Sequence, residues 1–438
     1  MGRKFCCLST PKRVTFCWTR AIMASLTDAM VVSFPSFRPL QCKGRNNARA
    51  VMSTFPFQGA TYRQELEAAV NVVERACLLC NLVRNSMNGT TSEFMQKTDL
   101  SPVTVADFGV QSLISLELGL RFPSIPLVAE EDGTYLKPEF EEGGQNDDKQ
   151  DLLCMIVDCV SKVASPNVQP ITSNSVLEAI HRGAPDHCVR STQEMSSFWV
   201  LDPIDGTRGF LEGGDALYVI GLSLVVDGKV VLGVMGCPCL THANMASSVS
   251  GRRLIWAFDK VMSDRIWSNT GILVVAHKGC GTWLRSLNIG IENQWKNLTE
   301  QNFVQSFVDS CMTVNEACFG LSRHETWRSS LLASIVPTKK DGHVAFHFCC
   351  GSLCKYLAVA VGAVSAVLLH QTQKTVKVWD HAPGVICVKE AGGKTTDGEG
   401  FDLERLIRNG ERTFMPSRNS IVVSNGHLHE TLIKHLLK

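Results

Sequence analysis

The chain has almost no excess charge: 43 Lys and Arg stand against 42 Asp and Glu, a formal net charge of +1 over 438 residues. It has no basic stripe interleaved with aromatics, so it lacks the electrostatic footprint of a nucleic-acid-binding protein. It also has no long apolar run. The longest, Leu357 to Leu369, is too short for a bilayer and reads as a buried helix. The 18 cysteines never fall into metal-knuckle spacing: Cys77/Cys80, Cys237/Cys239 and Cys349/Cys350 lie in apolar contexts without a matching Cys or His pair. They read as reduced, mostly buried thiols. No internal repeat is present. Acids are nearly missing from the first 53 residues, where nine Lys or Arg meet only Asp28. That bias is the pattern of an organellar transit peptide over residues 1–55, with the mitochondrion placed ahead of the chloroplast.

With 45% hydrophobic residues, the rest has ample material for a core. Helical spacing runs from Gln64 to Met87, and a second helix is predicted from Asp107, as its cap, to Arg121. Pro126 to Glu130 is a short buried strand, and Lys137 to Asp151 reads as a solvated acidic loop. Ala216–Val226 and Lys229–Met235 are strands joined by Asp227-Gly228, a favoured two-residue hairpin turn. Further strands are expected at Ile272–Ala276 and Ala345–Phe348, with helices around Leu353–Gly362 and Asp380–Ala391. Alternating strands and helices with one hairpin argue a layered α+β protein. The expected organisation is an N-terminal half over 56–240, an insertion over 241–270 around the unusual His242–Ser268 stretch, and a C-terminal half over 271–438.

The chemistry concentrates where apolar strands run into acids. In WVLDPIDGTRGF, Asp202 and Asp205 lie three apart, followed by Gly206 and Thr207. Asp-Pro suits a type I turn that brings the two carboxylates together, and DPID alone reads as a surface turn before it reads as a site. As ligands, such carboxylates with a backbone carbonyl suit a hard divalent cation that leaves room for phosphate oxygens. Glu130 and Glu131 end another buried strand, Asp380 stands at a helix start, and Asp99 precedes a Ser-Pro turn. Sequence spacing leaves open whether these acids converge.

Five segments occur in an order that resembles the magnesium-dependent, lithium-sensitive phosphatases of the inositol monophosphatase superfamily: KTDLSPVTVADF, PLVAEEDG, WVLDPIDGTRGF, CGSLCKY and WDHAPGVICVKEAGG. Within it the chain is similar to the 3′(2′),5′-bisphosphate nucleotidase branch, from about Tyr62 onward. The resemblance implies an αβαβα sandwich of the inositol monophosphatase and fructose-bisphosphatase type, acting as a monomer on a phosphorylated small molecule, with no nucleic-acid or membrane partner. It implies two or three Mg²⁺ ions held by Glu130, Asp202, the Ile204 carbonyl, Asp205 and Asp380. Asp99 and Thr207 would activate the attacking water, and Gly206 and Thr207 would meet the scissile phosphate. Ser352, Lys355, Asp380 and His324 would contact substrate. The substrate implied is 3′-phosphoadenosine 5′-phosphate, or its sulfated analogue, with AMP and phosphate as products of the first.

Two departures are visible. Pro383 follows WDHA where the branch has Ala or Val, and Leu368 and Leu369 stand where an arginine is expected to hold the nucleotide. An inositol phosphate or small sugar phosphate therefore stands as an alternative substrate, and a weakly catalytic nucleotide binder as an alternative role.

Overall fold

The structure is a computed structural model. It describes residues 53–54, 60–87, 94–96, 102–136, 146–184, 196–213, 216–241, 244, 254, 257, 271–287, 302–323, 332–335, 344–348 and 351–438. All lie in one compact unit spanning Gly44–Lys438.

An eight-stranded sheet is built from β1 (Ser53–Thr54), β2 (Leu127–Ala129), β3 (Ser197–Asp205), β4 (Val219–Val226), β5 (Lys229–Cys237), β6 (Ile272–His277), β7 (Gly281–Ser286) and β8 (Asn302–Ser306). Its order is β1-β8-β7-β6-β5-β4-β3-β2, antiparallel except for the β2–β3 pair. A second, five-stranded sheet contains β9 (Cys318–Ser322), β10 (Val344–Phe348), β11 (Ala366–His370), β12 (Lys394–Asp397) and β13 (Ser420–Ser424), ordered β10-β9-β11-β13-β12. The first sheet takes strands from both sides of residues 241–270.

Helices α1 (Arg63–Met87) and α2 (Val105–Arg121) cover one face of the first sheet, with α3 (Asn146–Val163) and α4 (Ser173–Arg182) beside them. A short helix, α5 (Thr207–Glu212), begins directly after β3. Between the two sheets lie α6 (Leu353–Ala360) and α7 (Ala382–Glu390), and α8 (His429–Leu436) packs on the second sheet. Two glycines of β5 display the layering. A Cβ at Gly233 would press on Ile386 of α7, while one at Gly236, on the opposite face by strand alternation, would press on Cys77 and Val73 of α1. The result is the αβαβα sandwich, with a large core reaching from α1 and α2 through the first sheet to α6, α7 and the second sheet, and a second cluster between that sheet and α8.

Burial explains these elements. Helix α1 buries Leu66, Val70, Val73, Cys77 and Cys80 at helical spacing, and its Glu74 pairs with buried Arg285 of β7 at 2.6 Å. Trp199 of β3 is fully buried against Phe122, ring centroids 6.1 Å apart. Such an aromatic contributes about 1.5–3 kcal/mol by leaving water. The hairpin forms as read, with φ of 49° at Asp227 and 68° at Gly228, values that suit a type I′ turn. The described cysteines are free thiols, and burial pushes the Cys77 thiol well above its ordinary value. No described helix is long and apolar enough to cross a membrane.

Three expectations change. The run Leu357–Leu369 is not one helix: α6 ends at Ala360, Gly362 takes φ of 69°, and the chain re-enters a sheet as β11. The left-handed glycine stops the helix, and β-sheet pairing claims the residues from Ala366 onward. The acidic stretch before Asp151 is helical from Asn146. Leu153, Ile156 and Val160 bury its inner face. Asp107 does not cap α2. It is the third residue of that helix and is buried. Of the 242–268 stretch, the described residues are only Asn244, Leu254 and Ala257.

Candidate metal centre and active site

Residues three apart on a regular strand point to opposite faces, so Asp202 and Asp205 could not face one cation from an undistorted β3. The strand is not regular. Asp202 pairs with Gly221 and Asp205 with Val219, so one extra residue is accommodated between them. This bulge, not the free turn read from the sequence, turns both carboxylates the same way. Pro203, which has no N–H to give, falls within the irregularity.

Asp380 comes from the other end of the chain. Trp379 before it is buried, and α7 begins two residues later with Ala382-Pro383 in its first turn. The helix N-cap is His381 rather than Asp380, which leaves the Asp380 carboxylate uncommitted to capping. One oxygen each from Asp202, Asp205 and Asp380 lies within 4.8 Å of the others. Next to Asp380, His381 is fully buried with Nδ1 2.9 Å from the Tyr356 hydroxyl. Burial, reinforced by the Lys355 charge, lowers its pKa to about 3 and keeps the ring neutral.

The electrostatics are those of a crowded anion cluster. Burial raises the Asp202 carboxyl well above its ordinary value, and the neighbouring charges of Glu130, Asp205, Asp380 and Asp107 raise it further. Asp380 rises by burial and then by Asp205 and Glu130. Burial pushes Asp205 up to about 6, against the opposing pull of the Ser352 N–H, the Lys355 charge and the Leu353 N–H. Asp202 Oδ1 is buried without a protein hydrogen-bond partner. Oxygen-only donors, crowded charge and an orphaned carboxylate oxygen fit a hard divalent cation such as Mg²⁺.

Asp205 is held from the segment Gly351–Lys355. The Ser352 and Leu353 N–H groups donate to its Oδ1 and Oδ2, each at 2.8 Å, at the start of α6. Gly351, at φ of 84°, lies so close that a Cβ there would overlap Asp205 Oδ2. Lys355 is buried, and its Nζ donates to the Gly351 carbonyl at 2.5 Å. The structure thus brings Ser352 and Lys355 to Asp205. Gly206 takes a left-handed φ of 89° and starts α5, where Thr207 Oγ1 donates to the Ile204 carbonyl at 3.1 Å.

Glu130, half-buried at the end of β2, acts on all three aspartates through its charge. Asp99 and His324 lie outside the described residues. Sequence reasoning missed Asp107, a buried acid whose charge reaches Asp202. Its signal was present: a carboxylate inside an otherwise apolar helical turn, Val105-Ala106-Asp107-Phe108.

A layered α+β sandwich with carboxylates gathered at a strand bulge is a scaffold whose acids could hold a divalent cation. The fold is shared with the extragenic suppressor protein suhB from Bartonella henselae, with a TM-score of 0.50 at 16% identity, over 86% of this chain and 99% of that one. The Inositol monophosphatase family matches residues 61–438, and the chain belongs to that family of phosphatases. Among its relatives, a provisionally named mitochondrial 3′(2′),5′-bisphosphate nucleotidase of Arabidopsis thaliana is 40% identical over 91% of this chain and 94% of that protein. A 3′(2′),5′-bisphosphate nucleotidase of Oryza sativa is 33% identical over 86% of this chain and 94% of that protein.

Proposed function

We propose that the protein removes the 3′-phosphate of 3′-phosphoadenosine 5′-phosphate in a Mg²⁺-dependent reaction, giving AMP and phosphate. The observation that carries this reading is the convergence of Asp202, Asp205 and Asp380, separated by up to 178 residues, on one oxygen cluster. The names of the relatives above support the nucleotide substrate. Bound Mg²⁺ would screen the phosphoryl charge and acidify the attacking water.

The side chains divide the remaining work. Asp202, Asp205, Asp380, Glu130 and the Ile204 carbonyl would hold the ions. Thr207 Oγ1 spends its proton on Ile204, so its lone pairs are free to accept from water. Gly206 admits the phosphate to the start of α5. Buried Asp107, or Asp99, receives the proton that water releases. The leader at 1–55 would direct import into an organelle, in keeping with the Arabidopsis relative's name.

One observation favours a different substrate. Leu368 and Leu369, at the positions expected for a nucleotide-holding arginine, are buried strand residues of β11. An inositol phosphate or a small sugar phosphate needs no such arginine. Steady-state kinetics with Mg²⁺ separate the readings. kcat/KM for 3′-phosphoadenosine 5′-phosphate is expected to exceed that for inositol 1-phosphate by about 100-fold, roughly two decades of transition-state discrimination. A preference for inositol 1-phosphate overturns the nucleotide assignment, and binding of the nucleotide without turnover makes the protein a sensor.

A further inference from the structure

We infer that Arg412 is a positioning residue that sets the spacing between Glu130 and the aspartate cluster, and so tunes the affinity of the metal site. The inference rests on the metal-site reading above.

Arg412 precedes a short antiparallel ribbon, in which Lys377 pairs with Thr413 and Val376 with Phe414. The ribbon is anchored by the Val378 N–H, which donates to the Arg412 carbonyl at 2.9 Å. From there the side chain reaches in two directions. Its Nη1 donates to the Gly183 carbonyl at 2.6 Å and its Nη2 to the Glu130 carbonyl at 3.3 Å. The Gly183 carbonyl also accepts the Ala129 N–H at 3.2 Å, so Arg412 closes on the same acceptor that secures the end of β2. The guanidinium carbon meanwhile lies 4.7 Å from the centroid of the Trp379 ring, with Lys377 Nζ 5.4 Å from that centroid. Trp379 is buried and immediately precedes Asp380.

One planar cation therefore contacts the main chain of Glu130 and the neighbour of Asp380, two acids 250 residues apart whose charges act on each other. A guanidinium suits the task because it offers a rigid fork to two carbonyls and a flat face to an indole at once. A lysine can make only part of this set. Without the brace, the two ends of the site relax away from each other, and a Mg²⁺ ion, which demands near-ideal geometry, is held less tightly.

The test is a Mg²⁺ titration followed by calorimetry and by thermal shift in the absence of substrate, on wild type, Arg412→Ala, Arg412→Lys and Trp379→Leu. Arg412→Ala is expected to raise the Mg²⁺ dissociation constant about tenfold, with Trp379→Leu raising it in the same direction and Arg412→Lys falling between wild type and alanine. At saturating Mg²⁺, KM for substrate is expected to stay within about twofold while kcat falls. Unchanged Mg²⁺ affinity in a variant that only melts earlier overturns the inference, as does a rise in KM with Mg²⁺ affinity intact. Should Arg412→Ala fail to fold, the lysine variant decides, since Mg²⁺ affinity equal to wild type contradicts the brace. A wild-type protein that shows no Mg²⁺ response at all sinks the metal-site reading itself, a different failure.

Discussion

Asp202→Asn is expected to lower kcat/KM about a thousandfold, a loss of roughly 4 kcal/mol of transition-state stabilisation. Asn keeps the shape and removes the charge at the centre of the cluster, where burial and the charges of Glu130, Asp205 and Asp380 meet. The same change alters stability in the opposite sense. A carboxyl whose pKa is raised by folding holds its proton longer in the folded state than in the unfolded one. Stability then falls as pH rises through the interval between the two values. For Asp205 that interval runs from the ordinary value of 3.8 to about 6, and Asp202 and Asp380 shift in the same direction. The metal-free protein is therefore expected to lose melting temperature as pH rises from about 4 through about 6, and Mg²⁺ to restore it. In Asp202→Asn the pH slope flattens and the response to Mg²⁺ disappears. Wild-type activity in this variant, or a wild-type melting temperature indifferent to pH in chelator, contradicts the cluster.

Gly351→Ala is the second large effect, expected at about 100-fold in kcat/KM, the cost of an ångström-scale misplacement at a reacting centre. The backbone there has φ of 84°, and an alanine Cβ would overlap Asp205 Oδ2. Strain of about 1–3 kcal/mol at such a position can be relieved only by moving α6 or Asp205. Either movement breaks the two 2.8 Å bonds from the Ser352 and Leu353 N–H groups. Ser352→Ala leaves those N–H groups in place and serves as the contrast, since any effect it has reports on the hydroxyl alone. Mg²⁺ demand should rise in Gly351→Ala and stay near wild type in Ser352→Ala. Equal behaviour of the two variants in a Mg²⁺ titration refutes the holding role of the α6 start.

The hairpin at Asp227-Gly228, the long α1 and the acidic motifs were legible because each is written in a local signal: turn chemistry, a 3.6-residue period, or apolar runs ending in acids. The convergence of the acids was not. Asp202 and Asp205 share a face only because β3 bulges, and a bulge arises from pairing with β4, which lies beyond the motif. The run Leu357–Leu369 was misread because apolar composition fits helix and strand alike, and the left-handed Gly362 divides it. Asp107 looked like a cap because first-turn acids are common, while its burial depends on α1 and the sheet packing around α2. Arg412 carried no signal in sequence at all, since its partners Gly183, Glu130 and Trp379 are assembled only by the fold.

The most direct test of the central claim is product analysis by mass spectrometry after incubating 3′-phosphoadenosine 5′-phosphate with the protein in ¹⁸O-water, with Mg²⁺ and with chelator. Unlabelled AMP and phosphate carrying one ¹⁸O atom are expected with Mg²⁺, and neither product with chelator. Label in the AMP, release of the 5′-phosphate instead, or undiminished turnover in chelator would contradict metal-dependent hydrolysis at the 3′ position.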